Sequence, residues 1–255
     1  MEKNWTWTPS APSPTPWPSN AFPLGATIVA TIGALGVAIL PGAAYTGYAV
    51  AAKIIPPHAT LEQIPVRVLL ISQLISYGPL IAYLLVVVPR LACRSLAELG
   101  LRRPTARDIG TGILGTFVMW SVVAVASSCI TAITHEHANE TAVQLLRSVR
   151  TQADAVSFVA IAVLFAPMVE EFAFRVFLLN AISRHTSLTT GVIACSILFG
   201  VVHGTSVSVA IPLTLGGIVL ALIYVRTGCY WSNVLTHALF NAVSVVAVLV
   251  FHVTS

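Results

Sequence analysis

The chain has 255 residues, of which 56% are hydrophobic and only 9% charged, with a formal net charge of +4 and a mean hydropathy of +0.88. A soluble domain carries roughly 25% charged residues, so a water-soluble globular enzyme is excluded, and the small basic excess sits in loops, where it reads as a membrane orientation signal and not as a nucleic-acid surface. The expected fold class is all-α, a polytopic integral membrane bundle of about seven to eight transmembrane helices with the lipid bilayer as its main partner.

Residues 1–24 form a Pro/Ser-rich tail, expected to be extended and cytoplasmic. It separates Lys3 from the first apolar run, so the order of a secretory signal is missing. Seven apolar segments follow, at 25–50, 66–89, 110–134, 155–182, 188–203, 206–225 and 229–251. Each is long enough, or nearly so, to cross about 30 Å of hydrocarbon. The first contains Pro41-Gly42, which leaves one bent helix or two pieces open and the count at seven or eight. The fifth is short and ends at His203-Gly204. No internal repeat is visible. The organisation is therefore a tail, N-terminal helices over 25–150, and C-terminal helices over 151–255 that carry the chemistry.

The stretch 90–107 holds Arg90, Arg94, Arg102, Arg103 and Arg107, which predicts a cytoplasmic loop. Alternation from there puts the N-terminus inside, with eight Lys/Arg inside against four outside, in keeping with a bacterial plasma membrane. The four cysteines, Cys93, Cys129, Cys195 and Cys229, have no paired spacing and read as small apolar residues. The polar loop 135–153 contains His135-Glu136-His137, but position 139 is Asn, so the helical zinc-protease spacing fails.

The segment 155–182 carries Glu170, Glu171 and Arg175 in its middle. Exposed to lipid, three such charges would cost about 10 kcal/mol, so they must face protein or a water-filled recess. Glu171 and Arg175 are four apart on a helix and can pair. Glu170 points about 100° away and is left without a partner, free to act as a general base. Pro167, three residues earlier, removes a backbone donor and is expected to kink the helix and open a water pocket. Two further constellations follow. Phe199 and His203 end the fifth segment; His237 and Asn241 lie four apart in the last. Each alone is explained by polar contacts between helices. Five ionisable residues in three spans of so apolar a chain point to a functional site.

Glu-Glu-x-x-x-Arg, then Phe-x-x-x-His, then His-x-x-x-Asn, on successive helices, resembles the CPBP family of intramembrane proteases, which includes the CAAX endopeptidases and the Abi or bacteriocin-processing relatives. The resemblance covers roughly residues 155–245. It implies an intramembrane endopeptidase acting on a membrane-anchored or hydrophobic peptide or membrane-protein substrate, with a membrane partner protein as a further expectation. It implies that Glu170 and His203 activate water, that His237 and Asn241 polarise the scissile carbonyl and hold the oxyanion, and that Glu171, Arg175 and Phe199 structure the site. The family usually has Gly after the arginine; here it is Val176, so local packing should differ. A zinc held by Glu170, His203 and His237 is admitted by ligand type, as is a metal-free mechanism. Two other classes compete: a non-catalytic membrane scaffold or immunity protein, and a proton-coupled carrier.

One geometric conflict stands. Counted from the ends of simple helices, His237 lies about 12 Å deep and Glu170 and His203 about 22 Å deep, at 1.5 Å per residue. Residues that meet must share a depth, so the helix ends or the helix geometry must make up the difference.

Overall fold

The computed structural model describes residues 18–59, 63–135, 149, 151–204 and 206–252, with backbone alone over 248–252. Residues 1–17 of the Pro/Ser-rich tail and most of the loop 135–153 lie outside the described residues. Seven helical stretches run through the rest: α1 (Leu24–Ala51), α2 (Val66–Ala92), α3 (Ala106–Thr134), α4 (Gln152–His185), α5 (Leu188–His203), α6 (Val207–Thr227) and α7 (Tyr230–His252). No strand occurs among the described residues. Five of the helices (α1, α2, α3, α4 and α6) are long and apolar enough to cross a membrane, and α5 is a shorter apolar helix.

The first apolar segment is one helix. α1 is continuous through Pro41, and Gly42 behind it is buried against α2. A Cβ at position 42 would lie 2.5 Å from Ser76 Oγ and 3.2 Å from the Ser72 carbonyl oxygen. The glycine thus permits a close crossing of α1 and α2.

Helix starts follow the capping rules where polar residues are available. Thr105 caps α3, with a reciprocal capping box to Asp108. Thr151 caps α4 and Ser187 caps α5. α6 is the central element: 56% of its most apolar window is buried, against 17% for α1. α3, α5 and α7 all pack on it. Large apolar side chains along the outside of α1 and α3, such as Val29, Leu40, Leu114 and Phe117, are exposed, as expected of a surface that faces lipid.

The depth conflict disappears at the start of α7. The segment between α2 and α3 folds inward instead of lying on the surface. Leu99 is buried and accepts a hydrogen bond from Tyr224 Oη at 2.9 Å. Gly100, at φ +98°, turns its carbonyl to receive the Tyr230 backbone N–H at 2.9 Å. α7 therefore begins inside the bundle. Its Tyr230 ring lies 6.0 Å from Phe172, and its hydroxyl donates to the Met168 carbonyl at 2.7 Å. A helix rising 1.5 Å per residue carries Phe172 about 20 Å from the His185 end of α4. The expected boundary of the last segment was right in sequence and wrong in depth.

α4 has irregular geometry. It is π-helical over Ala160–Phe165, α-helical over Ala166–Glu171 and π-helical again over Phe172–Leu179. Pro167 lies in the α-helical turn between the two π stretches. The Ala166 N–H reaches back five residues to the Ile161 carbonyl. The Ala162 carbonyl has then lost its usual donor, and its donor in the wider register would be Pro167, which has no N–H. Asn241 Nδ2 supplies it from α7, at 2.8 Å. At the end of the second π stretch Asn180 does the same locally: its amide donates to the Val176 carbonyl at 2.9 Å and to Tyr224 Oη at 3.2 Å. π turns commonly mark functional sites, and here they bracket Glu170 and Glu171.

Candidate active site

Glu170 and Glu171 are adjacent and both buried, at 8% and 0% exposure. They face different neighbours. Glu171 Oε1 accepts from Arg175 Nη1 at 3.2 Å and lies 2.8 Å from His237 Nδ1. Its Oε2 accepts from Asn233 Nδ2 at 3.0 Å. Arg175 is fully buried, donates to the Gly217 carbonyl at 3.2 Å, and stacks with its guanidinium carbon 4.6 Å from the centre of the Phe199 ring. That contact combines ion-pair anchoring with a cation–π interaction. A buried pair of this kind is stabilised when its remaining hydrogen-bonding capacity is met; Asn233, Gly217 and His237 meet part of it, and Arg175 Nε is buried without a partner.

Glu170 has partners too, which the sequence alone did not supply. Tyr77 Oη donates to its Oε1 at 2.6 Å. Its Oε2 lies 3.2 Å from His203 Nε2 and 3.8 Å from His237 Nε2. His203 Nδ1 is 2.7 Å from the Phe199 carbonyl. A carbonyl can only accept, so Nδ1 carries a proton, and the contact of Nε2 with Glu170 turns on a single further proton. His237 is fixed by the same logic: with Nδ1–H on the multiply bonded Glu171 carboxylate, Nε2 is the ring atom presented to Glu170.

The charges nearly cancel. Two carboxylates against one guanidinium leave one negative charge, and one proton shared among Glu170 Oε2 and the Nε2 atoms of His203 and His237 neutralises it. A membrane interior favours that balance. The site thus holds one transferable proton between a carboxylate and two imidazoles.

A cavity of about 870 Å³ lies beside these groups. Glu170, His203 and Tyr77 line it, with apolar walls from α1, α2, α4 and α5 that include Leu35, Leu80, Phe158 and Leu178. α5 has 16 residues and rises only about 24 Å, less than the hydrocarbon thickness. At its end the His203 imidazole keeps 29% of its side-chain surface exposed.

Glu170, Glu171, Arg175, Phe199, His203 and His237 converge. Phe199 lies 4.4 Å from the His203 ring and 5.7 Å from the His237 ring. Asn241 is one helical turn beyond His237 and bonds the π-turn carbonyl of Ala162. Val176 is fully buried in the main apolar cluster with Leu84, Val88 and Phe177, so the larger side chain is accommodated. Two residues that bond the glutamates were missed. Asn233 precedes His237 by four, and the stripe Asn233, His237, Asn241 on one helix face was available as a signal. Tyr77 follows Gln73 by four in an otherwise apolar span, and that pair was also readable.

Among the described residues, no group of three or more His, Cys, Asp or Glu side chains is arranged to hold a metal ion. Glu170 Oε2 and His203 Nε2 contact each other directly, at 3.2 Å. The four cysteines are free, Cys195 and Cys229 buried and Cys93 and Cys129 exposed. Residues 152–243 match the family model described as Rce1-like, type II CAAX prenyl endopeptidase. No curated protein and no solved structure matches the chain.

Proposed function

We propose, for a chain whose residues 152–243 form an Rce1-like domain of the CAAX-protease family, that it is an intramembrane endopeptidase cutting a membrane-anchored or hydrophobic peptide. One observation carries this reading: Glu170 Oε2 and His203 Nε2 meet at 3.2 Å in the wall of the cavity, with His237 Nε2 behind them at 3.8 Å from the same oxygen. A water placed between Glu170 and His203 gives up a proton to that pair as it attacks the scissile carbonyl. The Nε2 proton of His237, backed by ionised Glu171, faces the oxygen that becomes negative. Asn241 donates one amide hydrogen to Ala162 and keeps the second for the same oxyanion. The proton held by Glu170 and His203 then passes to the leaving amine, and the site returns to its starting charge. No step requires a metal.

The apolar walls favour a substrate with a hydrophobic or lipid-bearing segment. The basic loop 90–107 supports a cytoplasmic placement of the end of the bundle that bears it.

The test is proteolysis in detergent micelles of a farnesylated CAAX reporter and a panel of hydrophobic peptides. Wild type is compared with Glu170→Gln and His203→Ala, each with and without a chelator. The proposal expects cleavage by wild type, loss in both variants and no effect of the chelator. Cleavage that survives Glu170→Gln would reject the mechanism, and inhibition by chelator would reject its metal-free form.

A further inference from the structure

The Rce1-like match begins at residue 152, yet one of the bonds to Glu170 comes from α2. Tyr77 Oη donates to Oε1 at 2.6 Å, a length typical of a hydroxyl on a carboxylate. Gln73 lies one turn earlier on α2. The Tyr77 ring is held by Phe165 at 6.3 Å between centroids. Gln73, Tyr77, Glu170 and His203 all line the same cavity.

A buried phenol needs a partner, and satisfying that need is the simplest purpose of the contact. The choice of acceptor goes further. A carboxylate has two equivalent oxygens and a broad terminal torsion. Here the two are made different. Oε1 is occupied by Tyr77, and Oε2 is the oxygen near His203 and His237. Without the hydroxyl the carboxylate can turn, and neither oxygen is reserved for the imidazoles.

We propose that Tyr77 is a positioning residue of the active site, which pins Oε1 of Glu170 so that Oε2 is presented to His203 and to the attacking water. This rests on the proposed peptidase function for its kinetic consequence but not for its geometry. The N-terminal helices are then part of the catalytic apparatus. The groups facing Glu170 are Tyr77 from α2, His203 from α5 and His237 from α7, and only the first is uncharged in every protonation state relevant at neutral pH.

Tyr77→Phe keeps the ring and removes the hydroxyl. Two readouts separate positioning from scaffolding. In the first, cleavage of the farnesylated reporter, kcat should fall about tenfold with KM unchanged. In the Glu170→Gln background, Tyr77→Phe should add no further loss. The second needs no substrate. The infrared carboxylate band that disappears in Glu170→Gln should shift in Tyr77→Phe, in protein that melts within a few degrees of wild type. A band unmoved by Tyr77→Phe, or a KM effect without a kcat effect, overturns the proposal. If wild type cleaves neither the reporter nor any peptide in the panel, the peptidase reading fails, and the infrared band alone decides whether Tyr77 orders Glu170.

Discussion

Glu171 lies in a closed polar knot, and Glu170, one residue earlier, lies at the edge of a cavity. Around Glu171 are Arg175, Asn233 and His237, all nearly or fully buried, on three turns of two helices. Around Glu170 are Tyr77, His203 and the second nitrogen of His237, with the cavity beside them. The closed half is fully buried and bonds both oxygens of its carboxylate, so it resists change and fixes the fold. The open half has one proton too few to satisfy all its nitrogens and oxygens, and room beside it for a substrate. His237 joins the two, with one ring nitrogen in each. Two identical side chains thus acquire opposite uses from their surroundings, which is the rule by which carboxylates are assigned in active sites.

The comparison breaks most sharply at Glu170. Glu170→Gln keeps the size of the side chain and removes the base, and cleavage should fall by about 10²–10⁴-fold, while thermal unfolding in detergent stays near wild type. On the closed side the order reverses. Arg175→Met removes the guanidinium paired with Glu171 and leaves a buried carboxylate short of its counter-charge, with a destabilisation of about 3–5 kcal/mol. The measurement is denaturant unfolding followed by tryptophan fluorescence. Asn233→Leu takes one donor from Glu171 Oε2 and one from the Leu220 carbonyl. It should cost about 1–3 kcal/mol, read in the same assay, with activity lost only in proportion to unfolded protein.

The smallest structural effect is expected at the junction between α4 and α7. Asn241→Leu leaves the Ala162 carbonyl without its donor and should destabilise by about 1 kcal/mol. Activity should fall further than that change explains, because the second amide hydrogen is lost to the oxyanion as well. An activity loss no larger than the loss of folded protein would confine Asn241 to capping the π turn.

Much of this bundle was legible from apolar run lengths. All seven segments correspond to helices, and the Glu171–Arg175 pair followed from helical spacing. The inward start of α7 was not legible, because run length locates a helix along the chain and not along the membrane normal. It depends on Gly100 and Leu99 accepting bonds from Tyr230 and Tyr224, contacts between segments more than a hundred residues apart. The π turns were hidden for a similar reason. Pro167 announces a missing donor, but the replacement donor, Asn241, arrives from α7. Glu170 read as unpartnered because its partners lie on α2 and α5, and no spacing within α4 reports on them. Hydropathy was blind to centrality: α1 and α6 have nearly equal values, 2.0 and 2.2, while their buried shares are 17% and 56%.

The most direct test sets the two glutamates against each other. Glu170→Gln and Glu171→Gln are purified in the same detergent, and each is scored for melting temperature and for cleavage of the farnesylated reporter. The account predicts that Glu170→Gln melts with wild type and does not cleave, whereas Glu171→Gln melts well below it. Equal loss of stability in both variants, or cleavage retained by Glu170→Gln, would contradict the division of labour on which the account rests.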